Sequence, residues 1–375
     1  MEIEQVAFMS PAEEAARYNA LLKPEWVLGA FEDDIIQAFV VSAPMVLGLE
    51  GSPVRMGGVS SVGSMPEARR RGLVAALLRE TLRRSHEIGD VVSGLWTPHP
   101  ALYRRYGWEI CTESINVRFD PKHAQLAPGP RPPGRVERLE AKAWKLPDTS
   151  YREWAARRNS VLIRDEWRWK MALAFASKEI FVYRGREGRI EGHAVLHTSG
   201  SGDERTLVLH ELIANSPEAF RALVQLALSY DLVKTVSWWV GLDEPVFEVL
   251  ANPEQVKSER HYGLFLRLVD IVEAFSQRPA YGDGRLVIRV LDEICPWNDG
   301  TWEITSAGAR LSVEACDDEP MLTLDARALV QLFNGYRSAT NLARAGRIQV
   351  HHARALAVAD ILLAMRQRPY CMDEF

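Results

Sequence analysis

The chain predicts an α/β fold built twice over its first two thirds, followed by a smaller α+β domain. Three features carry this expectation. Short strand-like runs alternate with helical stretches up to about residue 127, a second strand, helix and strand succession lies between 206 and 240, and from about 276 extended runs give way to helices. A length of 375 residues exceeds what one hydrophobic core usually supports, in agreement with two or three domains. The expected bounds are 1–127, 128–275 and 276–375.

In the first segment, Val27 to Phe31, Ile35 to Val41, Val59 to Met65, Val91 to Trp96 and Ile115 to Phe119 read as strands. It ends at Gln125-Leu-Ala-Pro-Gly-Pro-Arg-Pro-Pro-Gly134, whose prolines and glycines forbid continued helix and disfavour paired strand, so a linker is expected there. The middle segment offers a hairpin, Ile180 to Tyr183 and Ile190 to Leu196, around Arg184-Gly-Arg-Glu-Gly188. A strand at Thr206 to Ala214, a helix from about Pro217 to Tyr230 and a strand at Val233 to Val240 repeat the order met at Val59 to Trp96. In the last segment, Arg285 to Leu291, Thr301 to Thr305 and Arg310 to Glu314 are extended, with a turn at Asn298-Asp-Gly300. Helices are expected at Asp325 to Phe333, Ala339 to Ala345 and Ala353 to Met365.

A hydrophobic fraction of 47% and a charged fraction of 25% belong to a globular protein rather than a disordered or fibrous one. Net charge is −5 with both signs mixed along the chain, so nucleic acid is not an expected partner and any anion site must be local. Cys111, Cys295, Cys316 and Cys371 form neither a disulfide framework nor a zinc motif, so a reducing cytoplasm is expected and no metal. The N-terminus lacks a basic region followed by an apolar one, and no apolar run approaches the ~20 residues that span a bilayer, so a soluble protein without signal peptide is expected.

Chemistry concentrates where Gly58 to Ser64 runs through Pro66 into Arg69, Arg70, Arg71 and Gly72, then into a helix with Val74, Leu77, Leu78 and Leu82 on one face. Such a turn aims unsatisfied backbone N–H groups outward at the positive end of the helix dipole, an arrangement suited to phosphate. Gly72 lets the backbone approach a ligand, and the arginines add charge and forked donors. The bland reading is a solvated helix start. Cations at a helix N-terminus oppose the dipole, however, so three of them favour an anionic ligand. The repeat has Asn215-Ser-Pro-Glu-Ala-Phe-Arg221 at the same place and is not expected to hold the anion. After Val91 to Trp96 comes a short helix, Ala101-Leu-Tyr-Arg-Arg-Tyr106, followed by Gly107-Trp108. Tyr103 and Tyr106 share roughly one helix face, and by spacing alone they read as core tyrosines.

The order V-x-S-x-P-x-x-R-R-R-G-L, helix, strand, then L-Y-x-R-Y-G-W resembles the coenzyme A signature of the GNAT acetyltransferase superfamily. The triple arginine, a middle domain without that signature and a C-terminal domain similar to the sterol-carrier-protein fold together resemble the enhanced intracellular survival family. The likeness spans essentially the whole chain, including the ending Arg368 to Phe375. It implies an acetyl-CoA-dependent N-acetyltransferase with tandem GNAT-like domains, the second degenerate. Val62 and Ser64 would pair through their backbone with the pantetheine arm, and Arg69, Arg70, Arg71, Gly72, Leu73 and Val74 would hold the pyrophosphate. Tyr103, not Tyr106, takes the general-acid position, and the Phe375 α-carboxylate that of the general base, where a terminus read by itself would fray. Ser64 and Val74 depart from the superfamily's usual residues, but both contacts are made by backbone. Glu374 and Trp26 are candidates for the acceptor site, and aminoglycoside-like amines or lysine side chains are the implied acceptors. A homo-hexamer is implied as well. The alternative from another class is a non-catalytic protein that senses acyl-CoA or carries lipid.

Overall fold

The computed structural model describes residues 2–8, 11–140, 143–174 and 178–375. The first stretch comprises α1 (Glu2–Phe8), α2 (Ala12–Asn19), β1 (Val27–Glu32), β2 (Ile35–Leu49), β3 (Ser52–Ser64), α3 (Leu73–Glu87), β4 (Val92–Leu95), α4 (Pro100–Arg104) and β5 (Glu109–Ile110). The middle comprises β6 (Glu113–Phe119), β7 (Arg135–Leu139), α5 (Lys145–Ala155), β8 (Asn159–Leu162), α6 (Glu166–Ala174), β9 (Glu179–Arg184), β10 (Ile190–Ser199), β11 (Thr206–Ala214), α7 (Pro217–Leu228), β12 (Thr235–Val240), α8 (Val246–Val249) and β13 (Lys257–Tyr262). Then follow β14 (Phe265–Leu268), α9 (Ile271–Gln277), β15 (Arg285–Leu291), β16 (Gly300–Ala307), β17 (Arg310–Ala315), β18 (Leu322–Asp325), α10 (Ala326–Phe333), α11 (Ala339–Arg344), β19 (Ile348–Val350) and α12 (Ala355–Leu362).

The chain divides into two compact units. In the first, β1, β2, β3, β4, β14 and β5 lie side by side. β3 and β4 are parallel, joined through α3, whose Leu77, Leu78 and Leu82 bury against Val40, Val59 and Leu95 of the sheet. A second sheet of this unit, ordered β17, β16, β15, β18, β19, belongs to the C-terminal segment with α10 to α12.

The second unit has the order β13, β6, β12, β11, β10, β9, β7. Its β11 and β12 are parallel and joined by α7, so the crossover of the first unit is repeated, as the strand, helix and strand order predicts. Its core gathers Leu223, Val224 and Ala227 of α7 with Leu207, Leu209, Val236 and Trp238 of the sheet.

The sequence reading misplaces one strand and misses another. Ile115 to Phe119, expected in the first segment, pairs between β12 and β13 of the second unit, while β14 comes from beyond residue 263 to lie between β4 and β5. Each sheet therefore takes one strand from the other's stretch of sequence. Where three separate domains with breaks after 127 and 275 were expected, residues 1–112 and 264–369 group in one compact unit, and the proline-rich stretch 125–134 lies inside the second unit. Alternation identifies a strand but not its partner, which is why composition put the break at the prolines. β2 also runs past Val41 to Leu49 and turns at Glu50-Gly51, both with positive φ, into β3; Pro44, paired with Gly57, hides this hairpin from a propensity reading.

Candidate functional site

The site begins where two parallel strands part. β3 pairs with β4 only over Met56 to Val59, opposite Val92 to Leu95, and then runs on to Ser64 against β2 alone. A bulge assists this parting: Val41 faces Ser60 and Phe39 faces Gly63, so Ser61 and Val62 together oppose Val40, with Ser61 at φ 44°. Beyond Val59 the β3 edge carrying Val62 and Ser64 has no strand partner among the described residues. The indole N–H of Trp96, next after the last residue of β4, is a buried donor with no acceptor among the described residues.

β3 leads through Met65 and the single turn Pro66–Ala68 into the arginines. Arg70 (φ 63°) and Gly72 (φ 82°) are left-handed, and the first bond of α3 runs from the Ala76 N–H to the Gly72 carbonyl. The amides of Leu73, Val74 and Ala75 thus have no acceptor within the helix, Gly72 offers no side-chain cap, and no acid stands in the first turn. A Cβ at Gly72 would meet nothing within 4 Å, so the approach is open and glycine meets the demand of φ. These features fit a diphosphate.

One expectation about the arginines changes. Arg71 donates to both carboxylate oxygens of Glu32, at 2.8 and 2.9 Å, and this hydrogen bond and charge hold the Glu32 carboxyl below its ordinary value. Arg71 therefore has an anionic partner of its own. Arg69 and Arg70 are exposed and make no ion pair among the described residues. In the second unit the equivalent helix start is filled from within: the Ser216 hydroxyl accepts from the Ala219 N–H and donates to Glu191, and Glu218 stands in the first turn.

Tyr103 and Tyr106 are both buried in one core cluster, against which Val62, Leu73 and Val74 also pack. The parted strand, the loop and the tyrosines thus meet. Tyr103 stands edge-on to Trp108 at 6.2 Å, and burial pushes its hydroxyl up to about 12. Tyr106 lies under the guanidinium of Arg79 at 5.3 Å. Behind them Gly107 (φ 90°) is required twice, by its dihedral and by Arg267 of β14, whose Nε would lie 2.5 Å from a Cβ there. Arg267 donates to the Tyr106 carbonyl at 3.0 Å and to the buried Asp292 at 2.7 Å. Nothing in the sequence pairs Arg267 with Gly107, since 160 positions separate them.

Residues 370–373 make directed contacts. The Tyr370 N–H donates to the Asn159 carbonyl at 2.9 Å, and Asp373 is buried against Arg164 at 2.9 Å, all within the second unit. Exposed Glu374 and half-buried Phe375 group with the first unit, which also holds Tyr103. Trp26 is half-buried, packed against the cluster of Ile3, Phe39 and Val41 with Lys23 over its ring at 5.3 Å; it belongs to a different cluster from Tyr103. Among the described residues no group of three or more His, Cys, Asp or Glu could hold a metal ion. No described helix is long and apolar enough to cross a membrane.

Residues 1–111 match an acetyltransferase (GNAT) domain, 160–268 a further acetyltransferase (GNAT) domain, and 271–372 a sterol carrier protein domain. A fold of tandem GNAT domains with an open loop at the first crossover defines the chain as a GNAT-type N-acetyltransferase. An uncharacterized N-acetyltransferase of Streptomyces avermitilis is 29% identical over 96% of this chain and 91% of its own. N-acetyltransferase Eis of Mycobacterium tuberculosis is 25% identical over 82% of this chain and 77% of its own. The crystal structure of Eis1 from Mycobacterium abscessus, 25% identical, superposes with a TM-score of 0.86 over 100% of this chain and 96% of that one. A GCN5-related N-acetyltransferase from Anabaena variabilis shares the fold at TM-score 0.92 with 19% identity, covering 100% of this chain and 96% of that one. The chain belongs to the Eis-like family of GNAT acetyltransferases.

Proposed function

We propose that the chain transfers acetyl from acetyl-CoA to amines of small molecules of the aminoglycoside type, or of lysine side chains, with Tyr103 as acid and the Phe375 carboxylate as base. The observation that carries this is the parted β3 edge leading into the left-handed Gly72 loop, with Tyr103 in the cluster both pack upon. The β3 backbone around Val62 and Ser64 would pair with the pantetheine arm, and the amides of Leu73 and Val74, with Arg69 and Arg70 beside them, would hold the diphosphate.

Bound acetyl-CoA supplies the thioester carbonyl that the amine attacks and the sulfur that must accept a proton. A phenol near 12 stays protonated at neutral pH and donates to that sulfur, whose conjugate acid lies near ~8.5. The Phe375 carboxylate takes the proton that the amine sheds, directly or through a relaying water. Glu374, exposed one residue before, offers a charge to a cationic acceptor. Trp26, in a separate cluster, is a second candidate wall of the acceptor site.

The test is release of free thiol from acetyl-CoA over a panel of amines, aminoglycosides and lysine peptides. Release that depends on both amine and protein supports the reading, and its absence over the panel contradicts it. A homo-hexamer in the cytoplasm, the remaining part of the proposal, is checked by sedimentation and cell fractionation.

A further inference from the structure

The stretch that carries Tyr103 has little regular structure of its own. α4 is a helix of five residues, too short to hold itself, and β5 has two residues and pairs only with β14 among the described residues. Side chains from beyond residue 263 of the same unit hold the stretch instead. Arg267 donates through Nε to the Tyr106 carbonyl at 3.0 Å, and the Tyr106 N–H donates in turn to the Tyr103 carbonyl at 2.9 Å. Gln331 of α10 donates to the Ile110 carbonyl at 2.8 Å, and Asn334, three residues on, to the Cys111 carbonyl at 2.6 Å. Arg267 is itself fixed by both carboxylate oxygens of Asp292, which also accepts from the Cys295 N–H at 2.9 Å. None of these four side chains exceeds 7% exposure.

Three carbonyls of one short stretch thus end on buried side-chain donors, where strand pairing would have met them with backbone N–H groups and buried no charge. A buried ion pair is a poor means to stability, because apolar groups of similar volume often serve as well. What Arg267 and Gln331 supply that apolar groups would not is direction, since each fixes one backbone atom between Tyr106 and Cys111. The Tyr103 ring packs in the cluster that holds Cys295, whose N–H is bonded to Asp292. Main chain and ring are therefore both held from residues 264–369 of their own unit.

We propose that Arg267 and Gln331 are positioning residues for acetyl transfer, their bonds to the Tyr106 and Ile110 carbonyls setting where the Tyr103 hydroxyl donates. The proposal rests on the reading of Tyr103 as the acid. It gives the segment that matches a sterol carrier protein domain, to which Gln331 belongs, a part in the reaction.

The test is a pair of double-mutant cycles in the full chain, with Tyr103→Phe as the common partner. Arg267→Lys keeps a cation beside Asp292 but loses the fork that also reaches the Tyr106 carbonyl. It is expected to lower kcat about tenfold with the acetyl-CoA KM within about twofold. Gln331→Met keeps the volume, loses the amide, and should lower kcat about threefold with the same unchanged KM. Placed in the Tyr103→Phe protein, each should change kcat by less than about twofold, because the hydroxyl they position is gone. A loss by the same factor in both backgrounds marks a merely structural effect and overturns the proposal. Unchanged kcat in whichever single variants fold, beside a damaging Tyr103→Phe, overturns the positioning role and leaves the acid reading standing. A silent Tyr103→Phe overturns both. If Arg267→Lys fails to fold, Gln331→Met carries the test alone.

Discussion

The side chain of Arg267 occupies the space that a Cβ on Gly107 would need, its Nε 2.5 Å from that position. The glycine of the Tyr106-Gly107-Trp108 run is thus explained by an arginine on a strand that reaches the first sheet from beyond the second unit. Gly107→Ala combines a left-handed dihedral with a clash against a guanidinium that also serves Asp292, so it should cost about 2–4 kcal/mol. A lower midpoint in thermal unfolding checks this, and an unchanged one would show that Arg267 yields freely.

Tyr103 and Tyr106 differ in environment although one cluster holds both. Tyr103→Phe should lower kcat by about 100-fold or more while coenzyme A binds as before, within the range for loss of a positioned proton donor. Tyr106→Phe leaves the ring under Arg79 in place and should change kcat less than threefold. Steady-state kinetics decide, and the reverse order of effects would transfer the donor role to Tyr106.

The arginines of the loop should not contribute equally. Arg69→Ala and Arg70→Ala should each raise the acetyl-CoA KM several-fold, about 1 kcal/mol for an exposed charge-assisted contact. Arg71→Ala should do less, because Arg71 must leave Glu32 to reach a phosphate. Glu32→Ala, which frees Arg71, should lower the KM. Identical KM values across the four variants would favour a solvated helix start.

Glu211 provides a pH test of the buried ion cluster around Arg164. Burial alone would raise its pKa, but Arg164 and His193 hold it far below the ordinary 4.5. A carboxyl depressed in the folded state contributes stability that is present above its unfolded value and is lost as pH falls toward the folded one. The chain should therefore lose resistance to urea as pH drops below ~4.5. Glu211→Gln should be weaker at pH 7 and show a shallower loss on acidification. Parallel pH profiles for the two proteins would remove Glu211 from the account.

Much of the first domain was legible because its signals are local. The run from Val62 through Gly72 into Leu73 announces a strand, a tight turn and a helix by residue type alone, and the structure places a left-handed Gly72 at that turn. The repeat was legible in the same way, from the order at Thr206 to Val240. What escaped the sequence depends on distant partners. Neither β6 nor β14 carries a mark of the sheet it joins, and the Arg71 pairing with Glu32 spans 39 positions. Asp373 reads as one acid among the last three residues, and only the fold shows that it is buried while Glu374 is exposed. Tyr103 was distinguished from Tyr106 by resemblance, since spacing treats the two alike.

The account depends most on the open amides at the start of α3, and calorimetric titration of the folded protein with coenzyme A addresses them directly. It should give a measurable heat at one molecule per chain, weakened about 30-fold by Arg69→Ala combined with Arg70→Ala. No heat with either coenzyme A or acetyl-CoA would contradict the proposed site.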